Sequence, residues 1–132
     1  GYDPDNHLLA ANGYGVLRIN YRGSAGYGRR FLLSGIKNLS SLMISDIADG
    51  ARWAISQGLA DPDRIYIMGA SYGGYAALMS AVKYPNLYKG LVSDSAPLDW
   101  LRLIKNYGES GQSFGYDFLS CTGGHIASTC YV

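Results

Sequence analysis

Ser71 is the residue whose type and setting point most directly to chemistry. It stands in Gly69-Ala70-Ser71-Tyr72-Gly73-Gly74-Tyr75, which contains the spacing Gly-x-Ser-x-Gly. A serine hydroxyl attacks a carbonyl when a base removes its proton and fixed donors hold the oxyanion that results. This spacing suits a sharp turn with the serine at its apex, a nucleophile elbow. Gly69 and Gly73 supply room, because a Cβ at either would strike the neighbouring strand or helix. Gly74 belongs to the same close-packed turn. The strain of the turn lifts the Ser71 hydroxyl clear of the backbone. A helix N-terminus just beyond it aims backbone N–H groups at the same point. The N–H of Tyr72 is therefore the candidate oxyanion donor.

An elbow needs a strand before it and a helix after it. Ile65-Tyr66-Ile67-Met68 is a short β-rich run. Ala76 to Val82 is a good helix former that stops before Pro85. Other readings of the stretch fit less well. A dinucleotide fingerprint would place its middle glycine where Ser71 stands, and a phosphate loop needs the absent Gly-Lys-Ser/Thr. A glycine-rich turn without chemistry explains the glycines but not the serine between a strand and a helix.

The totals narrow the function classes. The 132 residues fit one domain or a piece of one, and 48% apolar residues can build a core. A net charge of +1 gives no electrostatic case for a nucleic acid or membrane partner. No apolar run approaches membrane-spanning length, and no signal peptide is visible. Cys121 and Cys130 read as two free thiols rather than a disulfide. Twelve tyrosines is a high count, suited to a pocket that needs ring area and hydroxyls or to scattered core and surface positions.

The rest of the chain alternates strands and helices. Asp5 to Asn12 reads as a short helix capped by Asp3 or Asp5, with Leu8 and Leu9 inward and Gly13 at its end. Tyr14 to Asn20 reads as a covered parallel strand. The loop Tyr21 to Gly28 leaves its carboxyl end, the side that carries the crevice in open α/β sheets. A helical piece is expected near Phe31-Leu32-Leu33, broken by Gly35. Ser45 to Gln57 reads as a helix capped by Ser45, with Asp46 and Asp49 in its first turn. Ile47, Ala51, Ala54 and Ile55 share one face, and Gly58 closes the helix. Leu91 to Asp94 reads as another buried strand. Arg18, Arg22 and Arg64 read as loop anchors rather than substrate clamps. The class is α/β, a parallel sheet with crossover helices. Residues 108–132 form a Gly/Ser/Thr-rich tail with no assigned element, so the organised region is expected to be 1–107.

Several segments together resemble the prolyl oligopeptidase family of serine peptidases. They are Gly13 to Leu17 with Asn20 to Gly28, Asp46-Ile47 with Asp49-Gly50 and Trp53, Gly58 with Asp61 to Ile65, Gly69 to Tyr75, and Ala96-Pro97 with Asp99-Trp100. The acylaminoacyl-peptidase and dipeptidyl-peptidase branches are the most similar. The resemblance covers about residues 3–107 and implies a partial α/β-hydrolase fold. It implies cleavage of short peptides through an acyl-enzyme on Ser71, with Tyr72 N–H in the oxyanion hole. It further implies an N-terminal β-propeller in the whole protein and no metal or organic cofactor. Leu98, Trp100 and Tyr107 would line the pocket for the residue before the cleaved bond, although Trp100 also fits core packing under the elbow.

The resemblance places other parts of the machinery outside these residues. The family's His-Gly-Gly-Pro-like segment precedes Tyr14, and its triad Asp and His follow Val132. A triad inside the chain would have to join Ser71 and His125 to Asp94 or Asp99, with His125 too soon after the nucleophile strand for the family pattern. His7 lies on the expected first helix. The strand bearing the oxyanion segment belongs between Tyr14–Asn20 and Ile65–Met68, so a gap is expected in the sheet there. An esterase or lipase on the same fold is the alternative, since an elbow does not distinguish ester from amide. An inactive structural or binding fragment is the non-enzymatic one.

Overall fold

The computed structural model describes residues 4–109 and 130–131. The elements run α1 (Pro4–Ala11), α2 (Arg29–Leu33), α3 (Leu42–Ser56), β1 (Tyr66–Ala70), α4 (Tyr72–Lys83), β2 (Gly90–Asp94), α5 (Trp100–Glu109) and β3 (Cys130–Tyr131). The sheet order is β2-β1-β3. β1 and β2 are parallel, with Tyr66 opposite Gly90 and Ala70 opposite Asp94. α4 crosses between them and packs on both. This parallel pair, with α4 packed against it and α3 against α4, makes a partial α/β-hydrolase fold.

The core forms where α3 meets β1 and α4. Ile44, Ile47 and Ala51 of α3 are fully buried with Ile67 of β1 and Ala76 and Ala77 of α4. Each such isoleucine contributes about 1.5–3 kcal/mol by leaving water. The face expected on α3 is the one that packs, with Ala54 buried and Ile55 against the cluster. The helix starts earlier than its polar residues imply. Met43 and Ile44 are buried, so apolar packing draws Leu42–Ile44 into the helix. Ser45 is therefore not the cap; its hydroxyl donates to Leu42 O at 2.9 Å. Asp46 falls in the second turn, where it meets Arg22 instead of the helix dipole. Gly58 closes α3 as expected, at φ +70°, with Leu59 N–H returning to Ala54 O.

Three expectations are corrected. Residues 14–20 form no strand; only Arg18 makes an isolated bridge. A single bridge is not a ladder, and Ile19 packs against the core cluster. Leu8 of α1 is exposed rather than inward, and α1 buries none of its residues. β2 is not a buried strand: Leu91 and Val92 are both exposed. Register explains Val92, which shares a face with Tyr66 and Met68, away from α4.

The tail contributes more than expected. α5 continues past residue 107 to Glu109, and β3 pairs antiparallel with β1, Met68 opposite Tyr131 and Gly69 opposite Cys130. The side of β1 where a gap was expected is thus paired at two positions. Cys121 lies outside the described residues. Among the described residues no helix is long and apolar enough to cross a membrane.

Candidate active site

β1 ends at Ala70, α4 begins at Tyr72, and Ser71 is the single residue between them. Its backbone lies at φ 55°, ψ −121°, outside the regions that L-residues favour. Such strain costs on the order of 1–3 kcal/mol and persists only where the surroundings enforce it. Here they do. Ser71 N–H donates to Asp94 O at the end of β2, at 2.9 Å, and Ser71 O accepts from Tyr75 N–H at 3.2 Å. The Ser71 side chain does not cap α4. Ser71 is exposed, whereas Tyr72, Gly73 and Gly74 behind it are buried.

The elbow glycines sit where backbones touch. A Cβ on Gly69 would lie 2.4 Å from the Gly73 carbonyl carbon and 2.5 Å from its oxygen. A Cβ on Gly74 would lie 2.7 Å from Asp94 O. Ser93 Oγ donates to Gly74 O at 3.0 Å, tying β2 to the first turn of α4. Tyr72 is the first residue of α4, so its backbone N–H belongs to the positive end of the helix beside Ser71.

The Tyr72 side chain is held from several sides. Its hydroxyl donates to Leu39 O at 2.6 Å. Its ring lies 5.5 Å from Tyr21, 5.9 Å from Tyr75 and 6.3 Å from Trp100, centre to centre. Trp100 meets Tyr75 edge-on at 5.2 Å. This aromatic bracket was not foreseen as a unit; the high tyrosine count was its only signal. Lys83 Nζ donates to Ser40 O, next to Leu39, so α4 grips the loop before α3 at both of its ends.

The remaining expected residues fall as follows. Leu98 is strongly exposed beyond the end of β2. Trp100 packs partly buried against the core cluster. Tyr107 lies on α5, and its side chain is outside what the structure describes. Asp99 Oδ1 accepts from Arg102 N–H at 2.9 Å, and Asp94 Oδ1 accepts from Ser95 Oγ at 2.8 Å. Both carboxylates are thus engaged locally. His7 lies on α1, and His125 lies outside the described residues. Arg22 binds Asp46, and Arg64 Nε donates to Asp61 Oδ2 at 2.9 Å; both act as loop anchors. Hydrogen bonding to Asp46 raises the Arg22 pKa above the usual arginine value, against the pull of burial and with help from the charges of Asp46 and Asp49. Among the described residues no His, Cys, Asp and Glu group stands ready for a metal ion.

A strained serine between a parallel strand and its crossover helix is the arrangement that comparison with known proteins can test. A sequence model described as "Prolyl oligopeptidase family" matches residues 2–117. The chain belongs to the prolyl oligopeptidase family. Within the family it is 41% identical over 88 residues to dipeptidyl aminopeptidase BIII of Pseudoxanthomonas mexicana, covering 67% of this chain and 13% of that enzyme. It is 32% identical over 127 residues to dipeptidyl peptidase family member 6 of Caenorhabditis elegans, covering 96% of this chain and 17% of that protein. A crystal structure of puromycin hydrolase, a serine-to-alanine mutant complexed with PGG, superposes with a TM-score of 0.65 at 27% identity. It covers 78% of this chain and 15% of that one. The chain therefore spans less than a fifth of the length of each of these relatives. The family and the names of these relatives identify it as part of a serine-peptidase family of hydrolases.

Proposed function

We propose that Ser71 is the nucleophile of a peptidase that cleaves short peptides through an acyl-enzyme. The observation that carries this reading is the strained Ser71 backbone, held between β1 and α4 with its side chain not spent on capping. A His base takes the Ser71 proton as Oγ attacks the peptide carbonyl, and an Asp holds that His in the required tautomer. The carbonyl oxygen becomes an oxyanion, met by Tyr72 N–H and a second donor. Each such donor is worth about 3 kcal/mol. Collapse expels the amine with a proton returned by the His, and water then releases the acid by the same route.

In this reading the triad Asp and His and the second donor come from residues outside these 132, and an N-terminal β-propeller restricts entry to short peptides. The isolated chain is then inactive. Leu98, Trp100 and Tyr107 flank the pocket for the residue before the cleaved bond, with Leu98 strongly exposed. Turnover of a peptidyl anilide by the full-length protein, against Ser71→Ala, tests the proposal. Loss of turnover with retained fold is expected. Turnover that survives in the alanine variant would remove Ser71 from the mechanism, and preference for a simple ester over the anilide would favour the esterase reading.

A further inference from the structure

The loop after residue 20 is tied to α3 more firmly than a surface loop requires. Arg22 gives Asp46 three hydrogen bonds: backbone N–H to Oδ2 at 2.9 Å, Nε to Oδ2 at 2.7 Å and Nη2 to Oδ1 at 2.5 Å. The two side chains are 33% and 19% exposed, so the pair is partly open to water. The side-chain contact is a bidentate fork, which fixes orientation as well as distance. The third bond pins the main chain at Arg22 itself.

The residue immediately before that pinned amide is Tyr21, buried at 4%. Its carbonyl accepts from both the N–H and the Oγ of Ser24, at 3.1 and 2.6 Å, which closes the turn behind it. Its ring packs on Tyr72, tilted by 53°. Tyr72 is in turn the residue after Ser71. Two contacts joined by one peptide bond thus run from Asp46 through Arg22 and Tyr21 to the elbow. Core packing already holds α3, through Met43, Ile44, Ile47 and Ala51. A partly exposed ion pair adds little to stability. What this pair does add is a fixed position for Tyr21.

We infer that the Arg22–Asp46 pair is a positioning clamp: it seats the Tyr21 ring against Tyr72 and so holds the Tyr72 amide where the oxyanion forms. The inference rests on Ser71 being the nucleophile. Asp46 touches no reacting atom; it acts through Tyr21.

The test uses the full-length protein that contains this chain, with kcat and KM measured on a peptidyl anilide and unfolding followed in parallel. Asp46→Ala and Arg22→Ala should each lower kcat on the order of ten- to a hundredfold, the scale of misplaced reacting groups, with KM little changed. The double variant should be no worse than the worse single, since both remove one contact. Tyr21→Ala, which leaves the ion pair intact, should reproduce the kcat loss. If Asp46→Ala does not fold, Asp46→Asn keeps an acceptor for the Arg22 amide and should show a smaller loss in kcat. An unchanged kcat with a lowered unfolding midpoint would overturn the clamp, leaving the pair merely structural. Losses that multiply in the double variant would also overturn it. A wild-type protein that forms no adduct at Ser71 with a fluorophosphonate would overturn the functional reading first, and that failure is visible before any clamp variant is made.

Discussion

Replacing Gly69 with alanine is the sharpest test of how the elbow is built. The added Cβ would lie 2.4, 2.5 and 2.8 Å from the C, O and Cα of Gly73. Carbon atoms in ordinary contact sit about 3.5–4.0 Å apart, so β1 and α4 must part by roughly 1 Å. All three atoms are backbone, so no rotamer change relieves the clash. Overpacking typically costs about 1–3 kcal/mol and occasionally more. With main chain on both sides, Gly69→Ala belongs near 3 kcal/mol on that scale. The displacement also moves Ser71 relative to the helix end, and a shift of about 1 Å can cost on the order of a hundredfold in rate. The assay is urea unfolding of the full-length protein, with the rate of fluorophosphonate labelling measured well below the transition. Gly15→Ala is the control, because nothing lies within 4 Å of its Cβ position. It should change stability by less than about 1 kcal/mol. Equal midpoints and equal labelling rates for the two variants would refute the close approach of β1 and α4.

Two further outcomes follow from single side chains. Ser80 is fully buried and its Oγ finds no partner among the described residues, so Ser80→Ala should raise stability by about 1 kcal/mol in urea unfolding; a destabilised variant would mean the hydroxyl is satisfied. Hydrogen bonds from Asp63 N–H and then from Arg64 hold Asp61 below its usual carboxylate pKa. A depressed folded value means the contribution is present above the unfolded pKa and is lost as pH falls through the folded one. The Asp61 carboxyl, followed by NMR, should therefore titrate below pH 3.8, and titration at or above that value would contradict the two bonds.

The elbow was legible because it is local. Glycine at 69, serine at 71 and glycine at 73 announce a tight turn, and the β-rich and helix-forming runs beside them leave few other geometries. The end of α3 was legible for the same reason, since Gly58 is where a left-handed residue must fall. Its start was not. Ser45 and Asp46 look like a cap, but burial of Met43 and Ile44 carries the helix further back, and Asp46 turns to Arg22 across 24 positions of sequence. The segment 14–20 has the composition of a strand, yet a strand is a property of a pair, and this segment makes only the single bridge at Arg18. The Tyr72 bracket adds Tyr21, Leu39 and Trp100 to the helical neighbour Tyr75, and those three contacts are too distant in sequence for any local pattern to reveal.

The central claim is that Ser71 is a nucleophile, and covalent labelling tests it most directly. The full-length protein is treated with a fluorophosphonate, digested with trypsin, and the adduct located by fragmentation. The account predicts one adduct, in the peptide spanning residues 65–83, on Ser71 and not on the fully buried Ser80 of the same peptide. Ser71→Ala should abolish it. An adduct elsewhere, or one that persists in the alanine variant, would contradict the account.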